Sequence, residues 1–347
     1  MIRNGKHILW PHMRWQDGHK DVEFKRLREH GLTGEIVFDV PEVTDEQYRR
    51  ADAIISLPDL PKGKLALLEN CKIFVTPKVG HDNLDLQAYG ALGIPVCNVP
   101  DYGTMDVADH AIGLMLACMK SLHLHTAALH NDLLANWRNE MLPFGRRLSA
   151  CTFGIVGLGR IGTAAALRAK AFGMNVVFHD PYLAQGVDRA LGIRRVGSLK
   201  DLVSQSDVIS LHVPLTAETD KLIKKEVLDW AKPGLILINT ARGDVIDFDA
   251  LYHAMKEDRV KAIGIDVIPG EIEGYKPRNY RSLHLLRAWC DGEAWIQNRI
   301  VFTPHTAYLT PESAIDMRTF PIDIVARYLK DGALVNCVNH EYLTHRR

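Results

Sequence analysis

Three side chains with complementary chemistry stand just beyond predicted β-strands: Arg242, Glu271 and His305. An arginine can hold a carboxylate through two parallel hydrogen bonds. A histidine can give a proton to a carbonyl oxygen and take it back, and a glutamate bonded to the second ring nitrogen would orient the imidazole and favour its protonated form. Taken alone, each of these residues is as often a solvated surface residue or a turn residue as a catalytic one. Together at neighbouring strand ends, they predict proton transfer on a bound carboxylic acid.

Residues 152–180 have the pattern of a dinucleotide-binding unit, with Gly157, Gly159 and Gly162 between an apolar run and an Ala-rich stretch. The first glycine permits a tight turn, the second a close approach of the diphosphate, and the third close packing of helix on strand. Asp180 follows the next apolar run, where a carboxylate accepts hydrogen bonds from the adenosine ribose and repels a 2′-phosphate. The pattern predicts NAD in preference to NADP. A nicotinamide beside Arg242, Glu271 and His305 predicts hydride transfer to or from a 2-oxo or 2-hydroxy acid. A glycine-rich turn in another α/β protein is the alternative.

Short apolar runs alternate with helical stretches along most of the chain. In the first part, strands are predicted at 7–10, 35–40, 52–56, 72–76 and 94–99, and helices at 20–30, 44–51, 62–70 and 83–91. Further on, strands are predicted at 152–156, 175–179, 208–213, 235–239, 262–267 and 300–303, and helices at 161–172, 199–204, 225–230 and 249–258. This alternation predicts two parallel sheets covered by helices, the second with six strands.

Two further stretches lie outside this alternation. A helical pattern from 105 to about 137 contains His123, His125 and His130, but no carboxylate accompanies them at ligand spacing, so a surface or interface helix is favoured over a metal site. A helix at 311–330 contains Pro321, which should bend or interrupt it. Residues 333–339 resemble a strand, which we expect to return to the first domain.

The composition limits the classes of protein that need consideration. The chain has 347 residues, with 42 Lys and Arg against 42 Asp and Glu, so no bulk charge favours a nucleic acid or an anionic membrane. No stretch reaches the roughly 18 apolar residues of a membrane span, and the first residues lack the apolar core of a signal peptide. The six cysteines are scattered without CxxC spacing. We therefore expect a soluble, cytoplasmic protein of two domains, without a metal, nucleic acid or membrane partner.

The same residues carry a resemblance to a known family. GLGRIG (157–162), NTARGD (239–244), GIDV (264–267), TPH (303–305) and VGHDNLD (79–85) resemble the D-isomer-specific 2-hydroxyacid dehydrogenases, and the similarity covers nearly the whole chain. The spacings from Arg242 to Asp266 and from Asp266 to Glu271 are those of the family. Residues 166–193 and 336–344 are most similar to the branch that contains the C-terminal-binding proteins, which are corepressors that retain a dehydrogenase fold.

This resemblance implies an α/β fold of two doubly wound parallel-sheet domains. The first would be a flavodoxin-like substrate-binding (catalytic) domain made of residues 1–103 and 308–347. The second would be an inserted Rossmann NAD-binding domain of residues 104–307, with a dimerisation arm near 105–145.

The resemblance also implies roles for individual residues, with Arg242, Glu271 and His305 as the catalytic set. The implied NAD-binding residues are Gly157, Gly159, Arg160, Ile161, Gly162, Asp180, His212, Val213, Pro214, Thr240, Ala241, Arg242, Asp266 and His305. The substrate acid would contact Val79, Gly80, Arg242, His305 and Tyr308.

Three features depart from the family pattern. Val107 replaces a threonine that contacts the cofactor in many members, and Tyr308 stands where the corepressor branch has tryptophan. The stretch 272–299 is longer than usual, and it could close over the substrate, join a dimer interface or form a surface excursion. Further pocket candidates follow the first strand: Trp10, His12, Arg14 and Trp15.

Two functions agree with these observations. One is an NAD(H)-dependent D-2-hydroxyacid dehydrogenase, or 2-oxo acid reductase, that works as a homodimer on a small acid. The alternative is an NAD(H)-sensing binding protein like the corepressors. The intact set of Arg242, Glu271 and His305 favours the enzyme.

Overall fold

The chain forms two compact units in a computed structural model, which describes residues 6–11, 21–36, 43–61, 63–138, 145–272, 276–277 and 280–343. Unit 1 comprises Met1–Gly103 and Leu309–Arg347, and unit 2 comprises Thr104–Tyr308. His12, Arg14 and Trp15 lie outside the described residues.

Unit 1 begins with a parallel sheet of five strands. Its elements up to residue 103 are β1 (His7–Trp10), α1 (Asp21–Glu29), β2 (Thr33–Ile36), α2 (Asp45–Arg50), β3 (Ala53–Ile55), β4 (Ile73–Thr76), α3 (Leu86–Ala91) and β5 (Val96–Asn98). The strand order β2-β1-β3-β4-β5 is the doubly wound order of flavodoxin-like sheets. All residues of β3, β4 and β5 are buried, which explains why these strands are apolar without alternation.

The predicted helix at 62–70 is wrong. Within its described part, only Leu65–Leu67 forms a short 3₁₀ helix. Leu68 leaves the helical conformation with a ψ of 62° and is buried in the core of unit 1. One turn is therefore enough to bury Leu68, while Leu65 and Leu67 are only partly buried against the same core.

Unit 2 opens with helices and continues as a seven-stranded sheet. Its elements are α4 (Thr104–Lys120), α5 (Leu122–Asn131), α6 (Leu133–Asn136), β6 (Thr152–Val156), α7 (Arg160–Ala171), β7 (Asn175–His179), α8 (Val187–Leu191), β8 (Arg194–Arg195), α9 (Leu199–Gln205), β9 (Val208–Leu211), α10 (Lys225–Asp229), β10 (Leu235–Asn239), α11 (Phe248–Lys256), β11 (Val260–Ile265), β12 (Glu271–Ile272), β13 (Lys276–Pro277), α12 (His284–Cys290) and β14 (Ile300–Phe302).

The large sheet of unit 2 has the order β14-β11-β10-β9-β6-β7-β8, with all neighbours parallel. The expected six strands are therefore seven. The additional strand, β8, consists of two arginines at the sheet edge beside β7. Because neither residue is apolar, the hydrophobic pattern gave no sign of it. The fold is the predicted one of two α/β parallel-sheet domains.

The helical pattern from 105 to 137 is divided into three helices. Ser121 has a φ of 52° between α4 and α5, and Asp132 separates α5 from α6 and caps the latter by accepting a hydrogen bond from Ala135 N at 2.9 Å. Among the described helices, none alone is long and apolar enough to cross a membrane. Only α4 and α5 together meet that criterion, and they are bent by 58°.

A long helix near the end of the chain, α13 (Pro311–Asp331), belongs to unit 1. Pro321 lies inside this helix without interrupting it, so the expected break does not occur. A capping box at Thr310 begins the helix, and Arg318 is paired with buried Glu23 of α1. These contacts, with the burial of one helix face, outweigh the hydrogen bond that proline cannot make.

The predicted strand at 333–339 is also wrong. A single antiparallel bridge joins Cys337 to Cys97 of β5. Asn336 has a φ of 55°, which breaks the extended conformation just before the bridge.

Candidate active site

The glycine loop between β6 and α7 is built for a close approach of backbone segments. Gly157 has a φ of 87°, and a Cβ atom there would lie 2.8 Å from Val213 Cγ1. A Cβ atom on Gly162 would lie 2.1 Å from the carbonyl oxygen of Gly157. At Gly159, by contrast, a Cβ atom would meet no atom within 4 Å. The loop is thus closed on the protein side and open at the N-terminus of α7, where the first amides are suited to bind a diphosphate.

Asp180 follows β7 and fastens this loop. Its Oδ2 accepts a hydrogen bond from Leu158 N at 2.9 Å, while Oδ1 accepts from Tyr182 N at 3.0 Å and Leu183 N at 3.1 Å. The bond to Leu158 fixes the carboxylate beside the glycine loop. Sequence reasoning placed an acid here, but it did not reveal that the acid also holds the loop.

His212 and Val213 lie behind the loop, directly after β9. The imidazole Nε2 of His212 is 2.9 Å from Ser210 Oγ. Desolvation by the surrounding protein lowers the pKa of His212 to about 4, so the ring is neutral at pH 7. A neutral ring there adds no positive charge to the cofactor side of the sheet.

Glu271 and His305 form a hydrogen-bonded pair beyond β11 and β14. His305 Nδ1 is 2.5 Å from Glu271 Oε2, and Glu271 Oε1 accepts a hydrogen bond from Ile268 N at 2.5 Å. Both side chains are mostly buried, with exposed fractions of 18% and 15%. Because Nδ1 faces the carboxylate, this contact fixes the plane of the ring and the direction of Nε2.

Asp266 holds the turn that carries His305. Its buried carboxylate accepts hydrogen bonds from Thr306 N at 2.9 Å and Ala307 N at 3.0 Å, and its backbone oxygen accepts from His305 N at 2.8 Å. These bonds stabilise the left-handed conformation of His305, which has a φ of 53°. The observed contacts of Asp266 thus concern the histidine turn, in addition to the role near nicotinamide that the resemblance implies.

His110 of α4 extends this network and was missed by sequence reasoning. Thr303 Oγ1 donates to Asp266 Oδ1 at 2.5 Å, so it must accept from His110 Nε2, which lies 2.9 Å away. His110 Nε2 is also 3.7 Å from Asp266 Oδ1. The position of His110 on an apolar helix gives no sign of this contact, because its partner lies on a strand far along the sequence.

Arg242 lies on the neighbouring loop, after β10. Asn239 shapes this loop by donating to Arg242 O at 2.8 Å and accepting from Ala241 N at 2.9 Å. A Cβ atom on Gly243 would lie 2.0 Å from the carbonyl carbon of Ile268. This close contact packs the Arg242 loop against the loop of Asp266 and Glu271.

Comparison with known proteins was decisive for the family. Residues 112–307 match the family model of the NAD-binding domain of D-isomer-specific 2-hydroxyacid dehydrogenases. The chain belongs to this family.

Individual relatives agree with this assignment. The chain is 32% identical over 296 residues to the D-3-phosphoglycerate dehydrogenase of Methanocaldococcus jannaschii. The aligned region covers 85% of this chain and 53% of that protein. The chain spans about half the length of the curated relatives it matches.

Two solved structures cover nearly the whole chain. A D-lactate dehydrogenase from Aquifex aeolicus, complexed with NAD and lactic acid, is 28% identical, with a TM-score of 0.74 and coverage of 96% of this chain and 99% of that one. A D-2-hydroxyisocaproate dehydrogenase is 28% identical, with a TM-score of 0.80 and the same coverage of 96% and 99%. These relatives are dehydrogenases, and the alternative of a corepressor is not favoured.

Other residues that the dehydrogenase resemblance implied lie around this edge of unit 2. Arg160 and Ile161 open α7, and Pro214 follows Val213 with its carbonyl accepting from Thr219 Oγ1 at 2.6 Å. The ring of Tyr308 is buried and stands edge-on to His305, with 6.2 Å between ring centroids.

Val79 and Gly80 belong to unit 1. Val79 O accepts a hydrogen bond from Asn98 Nδ2 at 2.7 Å, and Val99 N donates to Lys78 O at 3.2 Å. The loop that would bind the substrate carboxylate is therefore fastened to the end of β5.

The long stretch at 272–299 is partly integrated into unit 2. In its described part, α12 buries Leu285, Leu286 and Ala288 in the core. Trp289 contacts Phe302 of β14 with 5.0 Å between ring centroids. Tyr275 and Arg278 lie outside the described residues. This packing contradicts a simple surface excursion for α12.

Metal ligands are not grouped within the described ranges: no three His, Cys, Asp or Glu residues lie close enough to hold an ion.

Val107, which replaces a threonine of many family members, is buried in α4.

Proposed function

We propose that the protein is an NAD(H)-dependent D-2-hydroxyacid dehydrogenase that interconverts a small 2-oxo acid and its D-2-hydroxy acid. The observation that carries this proposal is the pair of His305 and Glu271 beside the Arg242 loop, at the strand ends of an NAD-binding domain. The proposed catalytic residues are Arg242, Glu271 and His305.

The protein side of the NAD site fits a dinucleotide. The loop of Gly157 and Gly162 leaves the N-terminus of α7 open for the diphosphate, and Asp180 is fixed beside this loop, where it would bind the adenosine ribose. Thr240 Oγ1 is buried and has no hydrogen-bond partner among the described residues, which suits a residue that contacts the cofactor. When bound, NAD supplies or removes a hydride at its nicotinamide ring.

The proton chemistry falls to His305. Its imidazolium would donate the Nε2 proton to the carbonyl oxygen of a 2-oxo acid, and the neutral ring would take the proton back in the oxidation direction. Glu271 holds Nδ1 at 2.5 Å and stabilises the positive charge of the ring. Its second oxygen is bound by Ile268 N, so the carboxylate keeps its orientation while the histidine changes charge.

The guanidinium of Arg242 would bind the substrate carboxylate and bring the adjacent carbonyl beside His305. By the family resemblance, backbone groups of Val79 and Gly80 would also contact the substrate acid, and residues 1–103 and 308–347 would form the substrate-binding domain. Tyr308 would limit the size of the substrate side chain, because its buried ring stands beside the imidazole.

A substrate panel tests the proposal. Purified protein would be assayed with NADH against glyoxylate, hydroxypyruvate, phenylpyruvate and sulfopyruvate, and with NAD against D- and L-2-hydroxy acids. We expect turnover of at least one oxo acid and preference for the D-isomer in reverse. Tight NADH binding without turnover of any acid would reject the enzymatic function.

We also infer a cytoplasmic homodimer that associates through the arm near 105–145. Three apolar side chains at the end of this arm are largely exposed: Leu133 by 56%, Leu134 by 88% and Trp137 by 74%. A patch of this kind favours burial against a second subunit. Light scattering of the wild type and of Leu134→Glu tests the association.

Imaging of a tagged protein in its host tests the cytoplasmic location.

A further inference from the structure

Two cysteines of unit 1 face each other on paired backbone segments. Cys97 lies in the middle of β5 and is fully buried, while Cys337 lies in the segment after α13 and is partly exposed. The two residues are the partners of an isolated antiparallel bridge. They are far apart in sequence, and the spacing of the cysteines did not predict their contact.

The backbone hydrogen bonds define the geometry of this bridge. Asn98 N donates to Asn336 O at 3.1 Å, and Val338 N donates to Val96 O at 2.8 Å. Because the bonds fall on the flanking residues, Cys97 and Cys337 form a non-hydrogen-bonded pair, in which opposite side chains come closest. The Cα separation of such a pair, about 4.5 Å, falls within the range that a disulfide spans.

The two thiols lie on directly opposite residues of this bridge. The neighbouring thiol of Cys337 and burial raise the pKa of Cys97. Cys337 Sγ also lies 3.4 Å from Asn339 Oδ1, and Asn339 fastens the segment by accepting from Val96 N at 2.8 Å. The backbone pairing thus places the two cysteines opposite each other, as a disulfide requires.

We propose that Cys97 and Cys337 are a reversible disulfide site, for which the oxidant is a low-molecular-weight disulfide such as oxidised glutathione. The thiolate of the more exposed Cys337 attacks the oxidant, breaking its S–S bond, forming a mixed disulfide and releasing one glutathione thiolate. Cys97 then attacks the Cys337 sulfur, forms the protein disulfide and releases the second glutathione. Two electrons pass from the protein thiols to the oxidant, and their two protons end on the two glutathione molecules.

The bond would join two segments of chain that are remote in sequence. Unit 1 consists of residues before 104 and after 308, and the disulfide would tie its last segment to β5 covalently. The neighbour of Cys97, Asn98, holds the carbonyl of Val79 at 2.7 Å, so the bond also lies next to the anchor of the 79–80 loop. The site does not depend on the proposed enzymatic activity.

Peptide mapping tests the site directly. The purified full chain would be incubated with oxidised glutathione, alkylated after unfolding, digested and analysed by mass spectrometry. We expect a linked peptide pair containing Cys97 and Cys337 and lacking two hydrogens. Buried Cys71, Cys118 and Cys151 should remain thiols, and exposed Cys290 serves as the control for reaction with oxidant. Modified Cys290 with Cys97 and Cys337 still reduced, or Cys337 held as the mixed disulfide, would overturn the proposal.

Variants and thermal unfolding provide a second readout. Cys337→Ser should abolish the linked product, whereas Cys290→Ser should retain it. Oxidation should raise the unfolding midpoint of the wild type by about 5 °C, and reduction should reverse the rise. Cys337→Ser should show no such change. A rise that persists in Cys337→Ser would assign the effect to another thiol, and the wild-type peptide map decides the question if this variant does not fold.

Discussion

At the scale of single residues, the site depends on how each functional group is held. His305 is oriented through its ring by Glu271 and through its backbone by Asp266. The first contact sets the direction of the proton, and the second sets the position of the ring. Substitutions at these positions should therefore change catalysis in different ways.

Replacement of His305, the proposed acid–base residue, should remove most of the activity. His305→Gln keeps a polar side chain but cannot transfer a proton at neutral pH, so kcat should fall by about two to four orders of magnitude. NADH affinity, measured by fluorescence titration, should change little. His284→Gln is a matched control, since His284 lies on α12 and contacts Asp249. An unchanged kcat in His305→Gln would remove the residue from the mechanism.

Loss of the His110 contact should displace the imidazole of His305 through the turn that carries it. His110→Leu leaves Thr303 without its donor, and we expect kcat to fall by about ten- to a hundredfold through misplacement of the His305 turn. His110→Gln retains an N–H near the Nε2 position and should restore much of the rate. Steady-state kinetics across pH would check both variants. Equal damage from Gln and Leu would contradict a role for the hydrogen bond.

The charge of Asp180 should decide the choice of cofactor. Asp180→Asn keeps an oxygen that can accept from Leu158 N, but it removes the repulsion of a 2′-phosphate. The ratio of kcat/KM for NADPH to that for NADH should rise by at least about tenfold, a difference of ~1.4 kcal/mol. The same ratio in variant and wild type would show that other residues select the cofactor.

At the scale of elements, the close packing of β6, α7 and the loop after β9 makes the glycine loop a structural joint as well as a binding site. Gly162 has no room for a side chain because the Gly157 carbonyl is too close, whereas Gly159 faces open space. Gly162 is thus needed for the packing of the loop, whereas Gly159 leaves space in which a ligand could bind.

A pair of alanine substitutions tests this separation. Gly162→Ala should lower the free energy of unfolding by about 1–3 kcal/mol, because the new methyl group must displace backbone. Gly159→Ala should change it by less than ~0.5 kcal/mol, while a methyl group at the diphosphate position weakens NADH binding. Urea unfolding and NADH titration would measure the two effects. A Gly162→Ala protein as stable as the wild type would refute the packing argument.

The elements that sequence could predict are those whose residues face a single apolar environment. β1, β6, β7 and β10 have their predicted bounds because helices cover their sheets on both faces. β8 is a pair of arginines, and Ser121 interrupts a continuous helical pattern through its positive φ, so the hydrophobic pattern showed neither. Arg242, Glu271 and His305 were predicted from their positions after strands, whereas His110 has no signal in the sequence and is linked to them only by its contact with Thr303.

At the scale of the whole molecule, unit 1 must bring together two chain segments that are separated in sequence by unit 2. The described contacts between α1 and α13 include a buried pair in which the guanidinium of Arg318 binds the carboxylate of Glu23 through Nε and Nη2, the latter at 2.8 Å. Exposure of these residues is 4% and 0%. A second pair, Arg26 with Asp323, is much more exposed. The junction thus contains one ion pair whose loss would leave a buried charge.

Removing one partner of the buried pair should destabilise the chain more than removing the pair. Arg318→Met leaves Glu23 charged and out of water, so the free energy of unfolding should fall by about 3–5 kcal/mol. The double variant Glu23→Leu with Arg318→Met should recover most of this loss, because it leaves no buried charge. Arg26→Met is the exposed control and should cost at most about 1 kcal/mol. Urea unfolding of the full chain measures all three. If Arg318→Met cost no more than Arg26→Met, the α1–α13 junction would owe its stability to apolar packing alone.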